Sequence, residues 1–266
     1  MLTVIWTAAA AVGLYMTGAF LVALWRRDNS VADVAWGPGF LVAGGAAVAA
    51  GPAPDARTWL ALALVAVWSA RLALHIGLRR RGQGEDFRYA RWREQWGRWW
   101  VVRSFLQVFL LQGVILLAVS LPVLIIVTAP GVPLGALDAL AVAIWLAGFS
   151  WEAVSDLQLA RFRRDPANRG QVLTTGLWRY SRHPNYFGEA LLWWGIGVLA
   201  MAVPGGWLGL LGPTLLTFLL LRVSGVPMLE RGHMEKRPGY AQYAAATNAF
   251  LPWFPRSSAA GGGGGA

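Results

Sequence analysis

The sequence predicts an all-α integral membrane protein with seven transmembrane helices, and three observations predict it. Hydrophobic residues make up 56% of the chain and charged residues only 14%, where a soluble domain carries about a quarter charged residues. Seven apolar segments recur along the 266 residues, each near or above the roughly 20 residues that a helix needs to cross a bilayer. Positive charge is confined to alternate connections: of 23 Lys and Arg, 20 fall at Arg26–Arg27, at 79–103, at 161–182 and after 230. A basic balance laid out in this way marks the cytoplasmic side of a membrane and argues against a nucleic-acid surface.

The elements follow in order. Segment 2–25 has no leading Lys or Arg and is followed by Arg26 and Arg27, so it reads as a first span and not as a cleaved signal peptide. The next spans are expected at 32–51, 57–78, 101–128, 134–160, 184–203 and 206–229. The connections at 51–57, 129–133 and 203–206 are short, rich in Pro and Gly ("GPAPDA", "APGVPLG", "VPGG") and hold only Arg57. These are the outer connections; the N-terminus is then outside (periplasmic) and the C-terminus cytoplasmic. Residues 1–255 form one domain, and 256–266, ending "SSAAGGGGGA", is expected to be a disordered tail or a cloning remnant. Without Cys there is no disulfide or thiolate chemistry. His75, His183 and His233 lie far apart, so no zinc or haem site built from Cys and His is expected, a carboxylate-rich site has no support in the sequence, and no metal is assigned.

Ionisable residues inside the spans are costly and face a cavity or a partner. At helical spacing they form stripes: Asp33, Trp36 and Phe40 in the second span; Trp68, Arg71, His75 and Arg79 in the third; Glu152, Asp156 and Arg163 in the fifth; Asn185, Glu189 and Trp193 in the sixth; Arg222 and Glu230 towards the inner end of the seventh. One reading is a set of interhelical ion pairs. The other, favoured by five stripes at similar depth, is one cavity open to the cytoplasm. The inner loops say what it would hold. "RRRGQGEDFRYARWR" (79–93) joins Arg79, Arg80 and Arg81 through a Gly-x-Gly turn to Glu85 and Asp86, with Arg88 and Tyr89 beyond; "ARFRRDPANRG" (160–170) adds Arg163 and Arg164. Arginine forks match phosphate oxygens, and carboxylates beside them suit ribose hydroxyls. Clustered Arg also suits anionic lipid headgroups, a reading that fits Arg91, Arg93 and Arg98 better than it fits Glu85 and Asp86. In "GLWRYSRHPNYFGE" (176–189), Pro184 suits a first helical turn with His183 as its cap. Asn185 and Glu189 then lie one turn apart and can offer an amide and a carboxylate to a planar ligand group.

At these residues the chain resembles the steroid 5α-reductase family, in particular its bacterial members. "SDLQLARFRR" (155–164), "GLWRYSRHPNYFGE" and the ending "RPGYAQYAAATNAFLPWFP" (237–255) carry the resemblance, with "VADVAWGPGF" (31–40) and "RRGQGEDFRY" (80–89) typical of the bacterial branch. The resemblance implies a seven-helix enzyme of the bacterial inner membrane that uses NADPH. It implies that Asn185 and Glu189 hold the nicotinamide end, that Asp156 and Arg163 bind the cofactor from the fifth span, and that Arg222 reaches a phosphate. Arg179, Tyr180 and His183 belong to the same motif, and Glu230 and Tyr240 complete the expected cofactor set. The chain departs from the animal members, which have Gln-Glu in the second span where Asp33 precedes Trp36, a Tyr near Trp68, and His and Tyr where Val226 and Glu230 stand.

The implied reaction is reduction of a C=C bond conjugated to a ketone, as in 3-oxo-Δ4 steroids. Asp33 is the expected proton donor, Trp36 and Trp68 an apolar slot for the ring system, and Arg71 and His75 auxiliary donors. The substrate would be lipophilic and enter from the bilayer; membrane lipid is the other expected partner, with no nucleic acid and no obligatory protein partner. Two alternatives stand beside it. An S-adenosylmethionine-dependent isoprenylcysteine or lipid methyltransferase shares the Arg-His-Pro-x-Tyr motif, but its sulfonium cofactor calls for few arginines. A transporter for an anionic metabolite would call for an inverted repeat, and none is seen.

Overall fold

The structure, a computed structural model, describes residues 1–223, 225–230 and 238–256. His233, the first residue of the "RPGY" motif and the tail at 257–266 lie outside the described residues. Among the described residues every regular element is helical, and six helical stretches are long and apolar enough to cross a membrane. The chain is a multi-pass membrane protein. It divides into two compact units, residues 1–142 with 196–213, and residues 143–195 with 214–266.

In the first unit, α1 (Leu2–Arg26), α2 (Val31–Ala50) and α3 (Ala56–Arg80) follow the first three expected spans closely. The centre of α2 is "WGPGF", and its small residues let neighbours close in. A Cβ on Gly37 would lie 3.2 Å from the Ser69 carbonyl oxygen, and one on Gly39 would lie 2.3 Å from Leu116. Pro38 sits inside α2 and cannot donate to the preceding turn. The Ala35 carbonyl in that loosened turn accepts the Tyr15 hydroxyl at 3.0 Å.

The fourth span differs from expectation at both ends. Its helical stretch opens at Phe87 and runs to Val119, because Asp86 caps α4 (Phe87–Trp96) by accepting the Arg88 N–H at 3.0 Å. It continues through α5 (Trp100–Arg103), a π-helical stretch at Ser104–Leu110 and α6 (Leu111–Val119). It then breaks at Ser120 and restarts as α7 (Leu121–Thr128), with Pro122 in the first turn. Pro122 has no N–H with which to continue the ladder, which ends the helix where a continuous apolar run suggested none.

A buried clasp ties the connection before α8 (Ala136–Arg164) to α3. Arg57 is 1% exposed. Its guanidinium donates to both Asp138 oxygens at 2.7 and 2.9 Å and to the Val132 and Pro133 carbonyls, each at 2.9 Å. Asp138 also takes the Gly135 N–H at 2.7 Å. Asp55, which caps α3 through the Thr58 N–H, takes the Gly131 N–H at 2.9 Å. A charge buried among apolar helices is tolerable only when it is paired and hydrogen-bonded.

In the second unit, α8 and α9 (Pro184–Ala200) cross backbone to backbone. A Cβ on Gly148 would lie 2.4 Å from the Leu192 nitrogen, and one on Gly188 would lie 2.5 Å from the Glu152 nitrogen. Only small residues permit such an approach between membrane helices. The helix α9 has 17 residues, roughly 25 Å at 1.5 Å per residue, and so is shorter than the sixth expected segment. The last expected span comprises a 3₁₀ turn at Gly206–Leu210, α10 (Leu211–Phe218), a π-helical turn at Leu219–Val223 and a helical turn at 226–230.

The clasp makes a direct prediction. Arg57→Met leaves the Asp138 carboxylate buried without its partner and destabilises the protein by about 3–5 kcal/mol. Adding Asp138→Leu to Arg57→Met restores most of that loss. Thermal unfolding of the purified single and double variants in mild detergent measures both.

Candidate functional site

Two polar clusters hold most of the expected site residues, one in each unit. The first is organised by Asp33, in the first turn of α2 and half-buried. Its Oδ2 accepts Arg88 Nη2 at 2.8 Å and its Oδ1 accepts the Tyr89 hydroxyl at 2.6 Å. Arg88 and Tyr89 are adjacent on α4, so one turn of α4 docks on the start of α2. Tyr89 is buried, and its hydroxyl also meets the Gln112 amide. The Arg88 Nε donates to Asp86 Oδ1 at 2.9 Å, Arg80 pairs with Asp86 Oδ2 at 3.3 Å, and the Asp86 N–H donates to Ser30 Oγ at 2.9 Å. Glu85 Oε1 accepts the Asn29 N–H at 2.8 Å and also Arg93 Nη2 at 2.8 Å. Buried Asn29 reaches on to Ser104 Oγ at 2.9 Å.

Burial pushes the Asp86 carboxyl up. Hydrogen bonds from the Arg88 side chain and backbone, with the Arg88 and Arg80 charges, outweigh that and hold it below the usual carboxylate range. Beside this cluster stands an aromatic wall. Trp36 packs edge-on against Phe40 with ring centroids 5.2 Å apart, and Phe40 against Trp68 at 5.4 Å. Trp68 is fully buried and braces the wall from behind. Arg71 and His75 are half-buried further along α3, and Arg79 is exposed near its end.

The second cluster lies where α8 and α9 cross. The Gly148–Gly188 approach brings Asp156, 7% exposed on α8, to Asn185 in the first turn of α9, whose Nδ2 donates to Asp156 Oδ1 at 3.2 Å. Glu189, half-buried, follows one turn later. His183 is buried, stacks on Tyr186 with centroids 5.6 Å apart, and places Nε2 3.3 Å from Glu230 Oε1. The loop before it is shaped by Gly176 at φ 62°, where a Cβ would lie 2.6 Å from the Gln158 side chain. Gln158 accepts the Leu177 N–H at 3.0 Å.

The expected residues thus divide. Asp33, Arg80, Glu85, Asp86, Arg88 and Tyr89 form one network, in which carboxylates and arginines already bind each other. Asp156 and Asn185 form a second, and His183 and Glu230 a third. Arg163, Arg164, Arg179 and Arg222 are exposed, Tyr180 is half-buried, and Tyr240 is buried edge-on to Tyr243 at 5.9 Å. The expectation that Asp33 donates a proton meets a geometry in which both its oxygens accept.

Sequence reasoning missed Arg182. Its Nε pairs with Glu230 at 2.7 Å and its Nη1 donates to the Ala244 carbonyl at 2.8 Å and to the Thr247 carbonyl. The Arg182 N–H donates to the Asn248 carbonyl at 2.9 Å, and Ser181 Oγ to the Phe250 carbonyl at 2.8 Å. The Tyr243 hydroxyl, on the short helix Tyr240–Ala246, donates to the Trp178 carbonyl. Residues 240–254 therefore brace the loop that leads into α9. The signal was the position of Arg182 inside the Arg-His-Pro-Asn-Tyr motif, read for the residues after it alone. Asn29 and Ser30 gave no periodic signal at all.

The sign of the Asp86 shift sets a pH dependence. A carboxyl whose folded pKa is depressed contributes stability above its unfolded pKa, about 3.9 for Asp, and loses it as the pH falls through the lower folded value. Asp86→Asn should be less stable than the parent protein at neutral pH, with the two unfolding curves converging below about pH 4. Thermal unfolding across that range measures the convergence.

Comparison with known families places these motifs. A family model described as "Protein of unknown function (DUF1295)" matches residues 19–247. No curated protein and no solved structure matches the chain. The family match takes in both polar clusters up to Thr247, and the chain belongs to the DUF1295 family, which falls within the steroid 5α-reductase-like group.

Proposed function

We propose that the protein is an NADPH-dependent membrane reductase acting on the C=C bond of a conjugated enone, with 3-oxo-Δ4 steroids as the model substrates. In this reading the chain crosses a bacterial inner membrane seven times, with the N-terminus outside and the C-terminus in the cytoplasm. The observation that carries it is the Asn185–Asp156 hydrogen bond. It joins the two motifs, "SDLQLARFRR" and "RHPNYFGE", on which the family resemblance rests.

The residues present fit the cofactor. Asn185 and Glu189 offer an amide and a carboxylate to a carboxamide, and Asp156 orients the Asn185 side chain by accepting from it. Exposed Arg163, Arg164, Arg179 and Arg222 are guanidinium forks suited to phosphate oxygens. The arginines engaged by Asp86, Glu85 and Glu230 act instead in holding the fold. NADPH, when bound, supplies the hydride that the β-carbon of the enone accepts.

The chain's own residues then manage charge and proton. Reduction at the β-carbon gathers negative charge on the ketone oxygen, and a donor held there in a dry site stabilises the transition state more than the ground state. Arg88 keeps Asp33 an acceptor, and Asp33 in turn orients the Tyr89 hydroxyl. Tyr89 gives its one O–H to Asp33 in this arrangement, so the donor's part first expected of Asp33 passes to the auxiliary donors Arg71 and His75. The wall of Trp36, Phe40 and Trp68 suits a flat apolar ring system, and Arg71 and His75 are auxiliary donors. A final proton reaches the α-carbon by general acid transfer.

The test is turnover of testosterone or progesterone with NADPH by the protein in mild detergent, followed by loss of reduced-nicotinamide absorbance and by product mass. Gain of two hydrogens is expected, abolished by Asn185→Ala or Glu189→Ala. His75→Phe should lower turnover by about 10²–10⁴-fold while NADPH binding stays unchanged. Tight binding of S-adenosylmethionine with no reduction of any enone would overturn the reading in favour of a methyltransferase.

A further inference from the structure

The first unit contains a group of arginines that neither the proposed reaction nor the fold uses. Three arginines of this region are committed to carboxylates: Arg80 to Asp86, Arg88 to Asp86 and Asp33, and Arg93 to Glu85. Arg26, Arg27, Arg98 and Arg103 are exposed and have no carboxylate partner among the described residues. They occupy the ends of two helical stretches that pack side by side. Phe20 of α1 meets Phe105 and Phe109 with centroids 5.1 and 5.5 Å apart. Towards the other end, Gly113 faces Met16 and Val12. These contacts make α1 and the 104–119 stretch antiparallel, so the end of α1 and the start of that stretch emerge at the same level.

One side chain ties the two ends together. Arg93 Nη2 donates to the Arg27 carbonyl at 3.0 Å while its guanidinium lies over Trp100, 4.1 Å from the ring centroid. Arg27 is the only described non-glycine residue with positive φ, 52°. That bond to its carbonyl helps hold a backbone conformation which otherwise disfavours L-residues. The arginine pair of α1 is thereby fixed beside the Arg98–Arg103 segment.

The surroundings name the ligand chemistry. Trp25 is 84% exposed and Trp99 55%, with Arg98 over the Trp99 ring at 5.4 Å. Below them exposed apolar residues continue along both helices, Leu21 on one side and Val102 and Leu106 on the other. Amphipathic aromatic rings between a cationic rim and an apolar stripe mark the headgroup level of a bilayer, and basic residues next to a span attract anionic lipid. A soluble anion would need the arginines but not the apolar stripe.

We propose that the ends of α1 and of the 98–106 segment form a binding surface for an anionic phospholipid, with Arg26, Arg27, Arg98 and Arg103 on the phosphate and the stripe below on the acyl chains. The experiment is native mass spectrometry of the full chain in detergent, titrated with phosphatidylglycerol or with phosphatidylcholine of the same chains. At least a tenfold preference for phosphatidylglycerol is expected, weakened by salt and lost in the Arg26→Gln, Arg27→Gln, Arg98→Gln, Arg103→Gln variant. Arg161→Gln with Arg169→Gln, exposed arginines on the other unit, should keep it. Equal retention of both lipids by the parent protein, an unchanged preference in the fourfold variant, or an equal loss in the control pair would overturn the proposal. Displacement by inorganic phosphate as effectively as by lipid would overturn it too, since the surface would then be a soluble-anion site.

Discussion

A charge placed among apolar helices is largely cut off from water, and that constraint organises each unit of this protein. Its solution in the first unit is the Asp33 carboxylate, which accepts from Arg88 and from Tyr89. The pair does more than cancel a charge. It fastens α4 to the start of α2, and through Asp86, Ser30, Glu85 and Asn29 it draws the whole "GEDFRY" loop onto the α1–α2 turn. Each carboxylate in that loop is met by a guanidinium and a backbone N–H, so neither Glu85 nor Asp86 stands alone. The Arg57–Asp138 clasp obeys the same rule where α3 begins, and Arg182–Glu230 obeys it in the second unit.

The second unit adds a different device. There the polar side chains are placed by what is missing, the Cβ atoms of Gly148 and Gly188. Removing them lets α8 and α9 meet along their backbones, and the meeting point sets the distance at which Asp156 and Asn185 can bond. Polar groups at such a crossing are held by two helices at once, which gives them the precision that a flexible loop lacks. The Arg182 brace supports the same turn from the C-terminal side. Loss of the brace would loosen Asn185 without touching it.

Much of this was legible in the sequence, for a physical reason. A bilayer imposes length and apolarity on every span, so the first three helices and the long α8 followed directly from composition. The same logic misjudged the fourth and sixth segments. Hydropathy does not register that Pro122 interrupts a ladder, that Asp86 starts a helix early, or that α9 stops at Ala200. Helical spacing correctly paired Asp33 with Trp36 and Phe40, and Asn185 with Glu189, since residues one turn apart share a face. It could not find partners that are distant in sequence. Asn29 meets Glu85, Arg182 meets Glu230 and the 244–250 carbonyls, and Tyr89 meets Asp33 because loops fold back, and no periodicity records a fold-back. The arginine-rich loops looked alike as text, yet some guanidiniums are spent on neighbouring acids and others stand exposed.

The most direct test of this account is a double-mutant cycle on Asp33 and Arg88, read by thermal unfolding of the purified protein in lipid nanodiscs. Asp33→Asn and Arg88→Gln should each be destabilising, because the first takes from Arg88 one of its two carboxylates and the second leaves the half-buried Asp33 with the Tyr89 hydroxyl alone. The double variant should be little worse than either single one, giving a coupling of about 2 kcal/mol or more between the two sites. Additive losses, with no coupling, would mean that the pair is incidental and that the loop is held onto α2 by something else.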